Sequence, residues 1–136
     1  MSAEAARRIS AALQEQNWTN VPVILLVTAD RDLREAAAAA LNGRGYRVLA
    51  AAHAGHAVLA CMDVERVDVA AIELSMDDVS GPVLAERLRR RCPGLKSLYL
   101  ANAGTPEIDG ILVRPFSREQ LVERLIADLP DITSAS

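Results

Sequence analysis

Residues 21–45 read VPVILLVTADRDLREAAAAALNGRG. This stretch decides the fold, because its hydrophobic pattern changes once along its length. Val21 to Val27 is a continuous apolar run with β-branched residues, the pattern of a strand buried on both faces. Thr28 or Asp30 can then cap a helix. Asp32 to Leu41 reads as that helix, and Asn42, Gly43 and Gly45 stop it. A strand buried on both faces needs helices on both sides of its sheet and parallel neighbours.

Outward from this unit the alternation continues. Tyr46 to Ala51 reads as a second strand and His53 to Met62 as an Ala-rich helix. Val67 to Leu74 is a third buried strand. Ser80 and Pro82 open a helix that runs to about Arg91, with an N-cap and an early proline. Pro93 and Gly94 end it. Leu95 to Ala101 is a fourth strand and Gly110 to Val113 a fifth. Ser117 starts the last helix with a Ser-x-x-Gln capping box ending at Gln120. Leu121, Val122, Leu125, Ile126 and Leu129 form its apolar stripe. The fold class is therefore α/β, a doubly wound five-stranded parallel sheet with right-handed crossovers.

One helix is in short supply. Only residues 102 to 113 separate Ala101 from Arg114, and the fifth strand takes part of them. The remainder, NAGTPEID (102–109), is too short for two loops and a helix of typical length, about 10–14 residues. The fourth helix is expected to be shortened or missing, with at most one helical turn around Pro106. Before the main body, AEAARRISAALQEQ (3–16) can form an extra N-terminal helix with Ile9 and Leu13 on one side, and NWTN (17–20) breaks it. Trp18 reads as a packing anchor. The expected organisation is an N-terminal helical extension (1–20), a main domain (21–129) and a loose tail (130–136). The extension reads equally as a docking helix, a weak dimerisation helix or a frayed end; as cover for the missing helix it is favoured over a partner on a new face, since Ile9, Leu13 and Trp18 need somewhere to pack.

Composition narrows the function classes. The chain has 136 residues, the length of one domain. It is 51% apolar and 24% charged, with a formal net charge of -3. It contains 24 alanines, and alanine favours helix. A mildly acidic chain with no basic block does not suit sequence-independent nucleic-acid binding. Arg89, Arg90 and Arg91 read as the charged last turn of a helix, where cations suit the dipole. The longest apolar run is too short to cross a bilayer, and MSAEAARRIS (1–10) lacks the apolar core of a signal peptide. A cytoplasmic location follows as an expectation. Cys61 and Cys92 form no CxxC pair and read as reduced, buried thiols. His53 and His56 stand three apart with no matching Cys or carboxylate, so they read as surface residues. There is no GxGxxG, Walker, GxSxG or HExxH motif, and no enzyme activity is expected.

A doubly wound sheet binds ligands at the carboxyl ends of its strands, near the switch point. Those ends are Thr28 to Asp30, Glu73 to Asp78, Ala101 to Thr105, and Arg114 with Pro115. Together with ILLVTADRDLREA (24–36), GYRVLAAAHAGHAVLA (45–60), DVAAIELSMDDVSG (68–81), PGLKSLYLANAG (93–104) and VRPFSREQL (113–121), they give the chain a resemblance. Over about residues 21–129 it resembles the receiver domain of bacterial two-component response regulators. The resemblance implies a flavodoxin-like fold with strand order 2-1-3-4-5. It also implies phosphorylation of an Asp after strand three, with Mg²⁺ held by that Asp and an acidic pair after strand one. A hydroxyl after strand four and a Lys after strand five would bind the phosphoryl oxygens.

The sequence departs from that pattern at each of these positions. The acidic pair falls on Thr28 and Ala29, leaving Asp30 nearby. The acceptor falls on Glu73, the hydroxyl on Ala101, the Lys on Arg114 and the switch aromatic of strand five on Ile111. Of the 15 basic residues 14 are Arg, and Lys96, the only Lys, lies at the start of strand four. The expectation is a degenerate phosphoacceptor pocket and a stand-alone pseudo-receiver that signals by phosphorylation-independent protein–protein contact. Its partners would be a kinase, an output protein or a scaffold protein, with a homodimer as an alternative, and neither nucleic acid nor membrane. No cofactor and no metal site is expected, beyond weak Mg²⁺ binding at Asp30, Asp77 and Asp78. Glu73 is expected to pair with Arg114 in place of a phosphoryl–Lys contact, the competing reading being a Glu73 turned to solvent. Two rival functions remain at this point: a working regulator with a substitute phosphorylation or Mg²⁺ arrangement, and a small-molecule-binding module on the same scaffold.

Overall fold

A computed structural model describes residues 21–129; the expected N-terminal helix, Trp18 and the tail lie outside the described residues. The chain runs β1 (Val23–Val27), α1 (Arg31–Gly43), β2 (Arg47–Ala51), α2 (Ala54–Met62), β3 (Val69–Glu73), α3 (Gly81–Arg91), β4 (Lys96–Ala101), β5 (Ile111–Val113) and α4 (Arg118–Ala127). The five strands form one sheet in the order β2-β1-β3-β4-β5, all parallel. The expected fold class and strand order are found.

The strands carry two opposed faces, because successive side chains point to opposite sides. Val23, Leu25, Val27, Ala70 and Ile72 pack beneath α2 and α3. Ile24, Leu26, Val69, Ala71, Leu98 and Leu100 pack beneath α1 and α4. Every residue of β1 is buried, which is why its sequence is an unbroken apolar run. Each fully buried Leu or Ile contributes roughly 1.5–3 kcal/mol of apolar burial, so this strand anchors both halves of the core.

Helix starts follow local capping chemistry. Asp30 accepts from the Leu33 N–H at 3.1 Å and caps α1. His53 sits outside α2 as its N-cap, its Nδ1 accepting from His56 N. Ser80 caps α3 with Pro82 in the first turn. The Ser117–Gln120 capping box of α4 forms in both directions. At its other end α1 extends through Gly43 to a cap at Arg44, and Gly45 takes φ +92° to leave the helix.

Between Ala101 and Ile111 there is no helix. The expected helical turn around Pro106 is absent: turns form instead at Ala103–Gly104 and Asp109–Gly110. Gly104 and Gly110 hold φ of +97° and +86°, a left-handed backbone that breaks a right-handed helix. Pro106 also lacks the N–H that a helix interior needs. Nine residues with these three interruptions cannot sustain a crossover helix.

Candidate functional site

The carboxyl ends of β1, β3, β4 and β5 meet at one edge of the sheet. The parallel register puts Val27 beside Ile72, Ile72 beside Tyr99, and Tyr99 beside Ile111. One residue beyond this row on β3 stands Glu73, and Thr28 follows β1 directly. The strand order reverses between β1 and β3, so this edge is the topological switch point. A cavity of about 420 Å³ opens there, lined among others by Thr28, Asp30, Glu73, Asp77 and Asp78.

Thr28 is buried, with 3% of its surface exposed, and its hydroxyl both donates and accepts. It donates to Glu73 Oε1 at 3.1 Å and accepts from Asp30 N at 3.1 Å. Its backbone O accepts from Arg34 Nη1 at 2.7 Å. Ala29 and Asp30 are exposed, and Asp30 spends one carboxylate oxygen on its capping bond. A buried hydroxyl thus closes the β1 side of this edge, and it grips the neighbouring Glu.

Glu73 does not turn to solvent. Arg114 engages both of its oxygens: Nη1 donates to Oε2 at 3.2 Å, and Nη2 makes a short contact with Oε1. The two side chains are only 16% (Glu73) and 28% (Arg114) exposed. A bidentate Arg–carboxylate pair has fixed geometry that a Lys cannot supply. Arg114 reaches Glu73 across the end of β4, where the residue is Ala101, buried and small. The Arg114 N–H donates to Ala101 O at 2.8 Å, which fixes the base of the side chain. Nη1 also approaches Asn102 Oδ1 at 3.4 Å, and the guanidinium carbon lies 5.4 Å from the Phe116 ring centre. The cation–π contact holds the guanidinium from a second side.

Asn102 and Phe116 were not singled out from the sequence. Phe116 had a signal, as part of Arg-Pro-Phe-Ser after strand five, whereas Asn102 had none. Ile111, the expected switch-aromatic position, starts β5 and is half-buried, apart from the Glu73–Arg114 pair.

The acidic loop after β3 serves the backbone. Asp78 Oδ2 accepts from Ala54 N at 3.0 Å, at the N-terminus of α2, and Oδ1 accepts from Val79 N. Burial pushes the Asp78 carboxyl upward, but backbone N–H groups at Val79, Ala54 and Gly55 outweigh it and hold it below the ordinary Asp range. Among the described residues no group of three or more His, Cys, Asp or Glu side chains is arranged to hold a metal.

The Mg²⁺ implied by the resemblance can be tested against these donors. A hard cation takes several carboxylate oxygens. Here both Glu73 oxygens face Arg114, Thr28 offers a neutral hydroxyl in place of a carboxylate, Ala29 offers a methyl, and Asp78 spends both oxygens on backbone N–H groups. This donor set does not fit Mg²⁺.

Residues 24–126 match the family model of the response regulator receiver domain. The probable transcriptional regulatory protein TcrX of Mycobacterium tuberculosis is 31% identical over 116 residues, 78% of this chain and 49% of that protein. This chain thus spans about half the length of that curated relative. Among solved structures it resembles the receiver domain of the hybrid histidine kinase CckA, at 25% identity and a TM-score of 0.67, covering 79% of this chain and 99% of that one. It also resembles the chemotaxis response regulator CheY4 of Vibrio cholerae, at 23% identity and a TM-score of 0.69, covering 80% and 99%; that likeness concerns the fold alone. No described helix is long and apolar enough to cross a membrane. With its sheet order, its switch-point edge and residues 24–126 all matching, the chain belongs to the response regulator receiver domain family of two-component signalling.

Proposed function

We propose that this receiver is a pseudo-receiver that signals by phosphorylation-independent contact with another signalling protein. The observation that carries this reading is the Glu73–Arg114 pair, in which both carboxylate oxygens at the acceptor position are occupied. A carboxylate clamped by a guanidinium is a poor nucleophile, and Thr28 and Ala29 beside it supply no carboxylate for a cation that would neutralise an incoming phosphoryl group. The pair fills the role that a phosphoryl group and a Lys would share, so the site holds one conformation permanently. The function then lies in the surface which that conformation presents to a kinase, output or scaffold protein, not in chemistry or a cofactor. Two free, buried cysteines go with a reducing, cytoplasmic setting.

Incubation with acetyl phosphate or beryllofluoride in the presence of Mg²⁺ tests the proposal. The expected result is an unchanged intact mass and unchanged amide spectra. A stoichiometric adduct, or a shift of the Thr28, Glu73 and Arg114 resonances on adding beryllofluoride and Mg²⁺, overturns it in favour of a regulator with a substitute phosphorylation arrangement.

A further inference from the structure

The missing crossover helix leaves one part of the sheet uncovered by any described element. Leu112 packs with Leu98 and Leu100 on the α1–α4 side. Ile111 and Val113 therefore face the opposite side, where Tyr99 stands beside Ile111. Helices α2 and α3 cover that side over the other strands, but Ile111 and Val113 belong to neither core cluster. Tyr99, Ile111 and Val113 are all half-buried, and Ile108 in the preceding loop is 62% exposed.

We propose that the occupant of this face is the chain's own N-terminal segment, residues 3–16, packed as a helix across Tyr99, Ile111 and Val113. This goes beyond the signalling role above and does not depend on it.

The reach fits. The described chain starts at Val21, at the amino-terminal edge of the sheet, where Arg66 donates to Val21 O and Arg47 N donates to Pro22 O. In the observed strand order β5 stands three strand spacings from β1, about 14 Å. The five steps from Gln16 to Val21 span up to about 17 Å. The register puts Ile111 level with Val27, six residues above Val21, or about 20 Å. A helix over residues 3–16 is about 21 Å long. It brings Ala5 and Ala6 close to the Tyr99–Ile111 row, with Ile9 about one turn below and Leu13 about two.

The direction fits as well. A segment that ends at the amino edge and then enters β1 runs antiparallel to the strands. That is the polarity of a helix in a β-α-β crossover, so it can lie in the vacant place as a crossover helix would. The chemistry matches too. Ile9, Leu13 and several alanines share one side of the segment. Arg7 and Arg8 carry charge opposite to Glu107 and Asp109, which are exposed in the loop bordering the face.

Paired cysteines in the full chain test the placement. In Ala5→Cys/Ile111→Cys and Ala6→Cys/Ile111→Cys, mild oxidation with diamide is expected to give a disulfide-linked monomer. The yield should exceed that of Ala6→Cys/Leu59→Cys, on the far helix α2, by about tenfold. Single-cysteine variants report the background from Cys61 and Cys92. Equal yields, no cross-link, or a cross-linked dimer overturns the proposal, the dimer meaning that a second copy holds the face. Hydrogen exchange gives an independent reading. Amides of residues 5–14 are expected to be protected in the parent chain and to lose about tenfold in Val113→Asp, while β1 and β3 stay protected. Unprotected amides in the parent chain overturn the proposal, and so does protection that survives Val113→Asp, the result expected if a partner or another face held the segment.

Discussion

Arg114 and Glu73 come from β-strand ends that are not neighbours, yet they form one unit. The guanidinium crosses the end of β4 and engages both oxygens of the Glu73 carboxylate. Two small facts permit this. Ala101 at the end of β4 leaves room for the crossing side chain, and its carbonyl holds the Arg114 backbone at 2.8 Å. Thr28 then supports Glu73 from the β1 side at 3.1 Å. Thr28, Glu73, Ala101 and Arg114 are thus one coordinated arrangement. A longer acid, a longer forked cation, a small residue between them and a short donor beside them complete each other.

Breaking this unit from the cationic side is expected to cost the most. Arg114→Ala leaves a half-buried carboxylate with Thr28 as its remaining side-chain donor, a loss of about 1–3 kcal/mol. Arg114→Lys keeps the charge but loses the fork, for about 1 kcal/mol. Urea unfolding measures both. In the double variant Glu73→Gln/Arg114→Ala the losses should fall short of additive by at least about 0.5 kcal/mol. Full additivity would mean that the two side chains do not act together.

Shortening the acid should not restore acceptor chemistry. Glu73→Asp supplies the side-chain length that receivers use, yet Thr28 and Ala29 still provide no carboxylate for a cation. The expected outcome is no mass increase on incubation with acetyl phosphate and Mg²⁺. Uptake of a phosphoryl group by Glu73→Asp alone would show that the cation pocket is intact despite its residue types.

Much of this was readable in the chain, for physical reasons. Buried parallel strands write themselves as apolar runs, so VILLV at 23–27 and VAAIE at 69–73 announce β1 and β3. Caps at Asp30, Ser80 and Ser117 are local chemistry and were legible from single residues. Strand ends were less so. Val67 and Asp68 precede β3, and Asp68 Oδ2 accepts from Val23 N at 2.8 Å and ties the strand starts together. Such a contact spans 45 positions and leaves no local trace. The same holds for the site. The Glu73–Arg114 pair was expected from two residue types at aligned strand ends, but the contact of Asn102 depends on a helix-free loop whose path no spacing rule gives.

Gly81 couples the first turn of α3 to the strand end that carries Glu73. A Cβ at this position would lie 2.5 Å from the Glu73 carbonyl O and 3.1 Å from Leu74 Cα. Both are backbone atoms, so they cannot rotate away. Gly81→Ala is expected to destabilise by about 1–3 kcal/mol, as overpacking does. It should also displace the Glu73 resonances more than those of Leu41, which lies in the core on the opposite side of the sheet. Unchanged stability would mean that α3 can move off the strand without resistance.

Cys61 faces the core from the last turn of α2, and its thiol is pushed up to about 11 from 9.0. Burial is the main cause, Cys92 adds to it, and Arg91 opposes it. The folded chain therefore holds this proton more tightly than the unfolded chain does. Its contribution to stability is complete below pH 9 and is lost as pH rises through about 11. Cys61→Ala removes that dependence. The difference in urea midpoint between the parent chain and Cys61→Ala should be constant from pH 6 to 8. It should then shift between pH 9 and 11, always toward a relatively weaker parent chain. Other groups titrate in this range in both proteins, so the difference isolates Cys61. A difference that stays flat to pH 11 would mean that the thiolate is accommodated in the core as easily as in the unfolded chain.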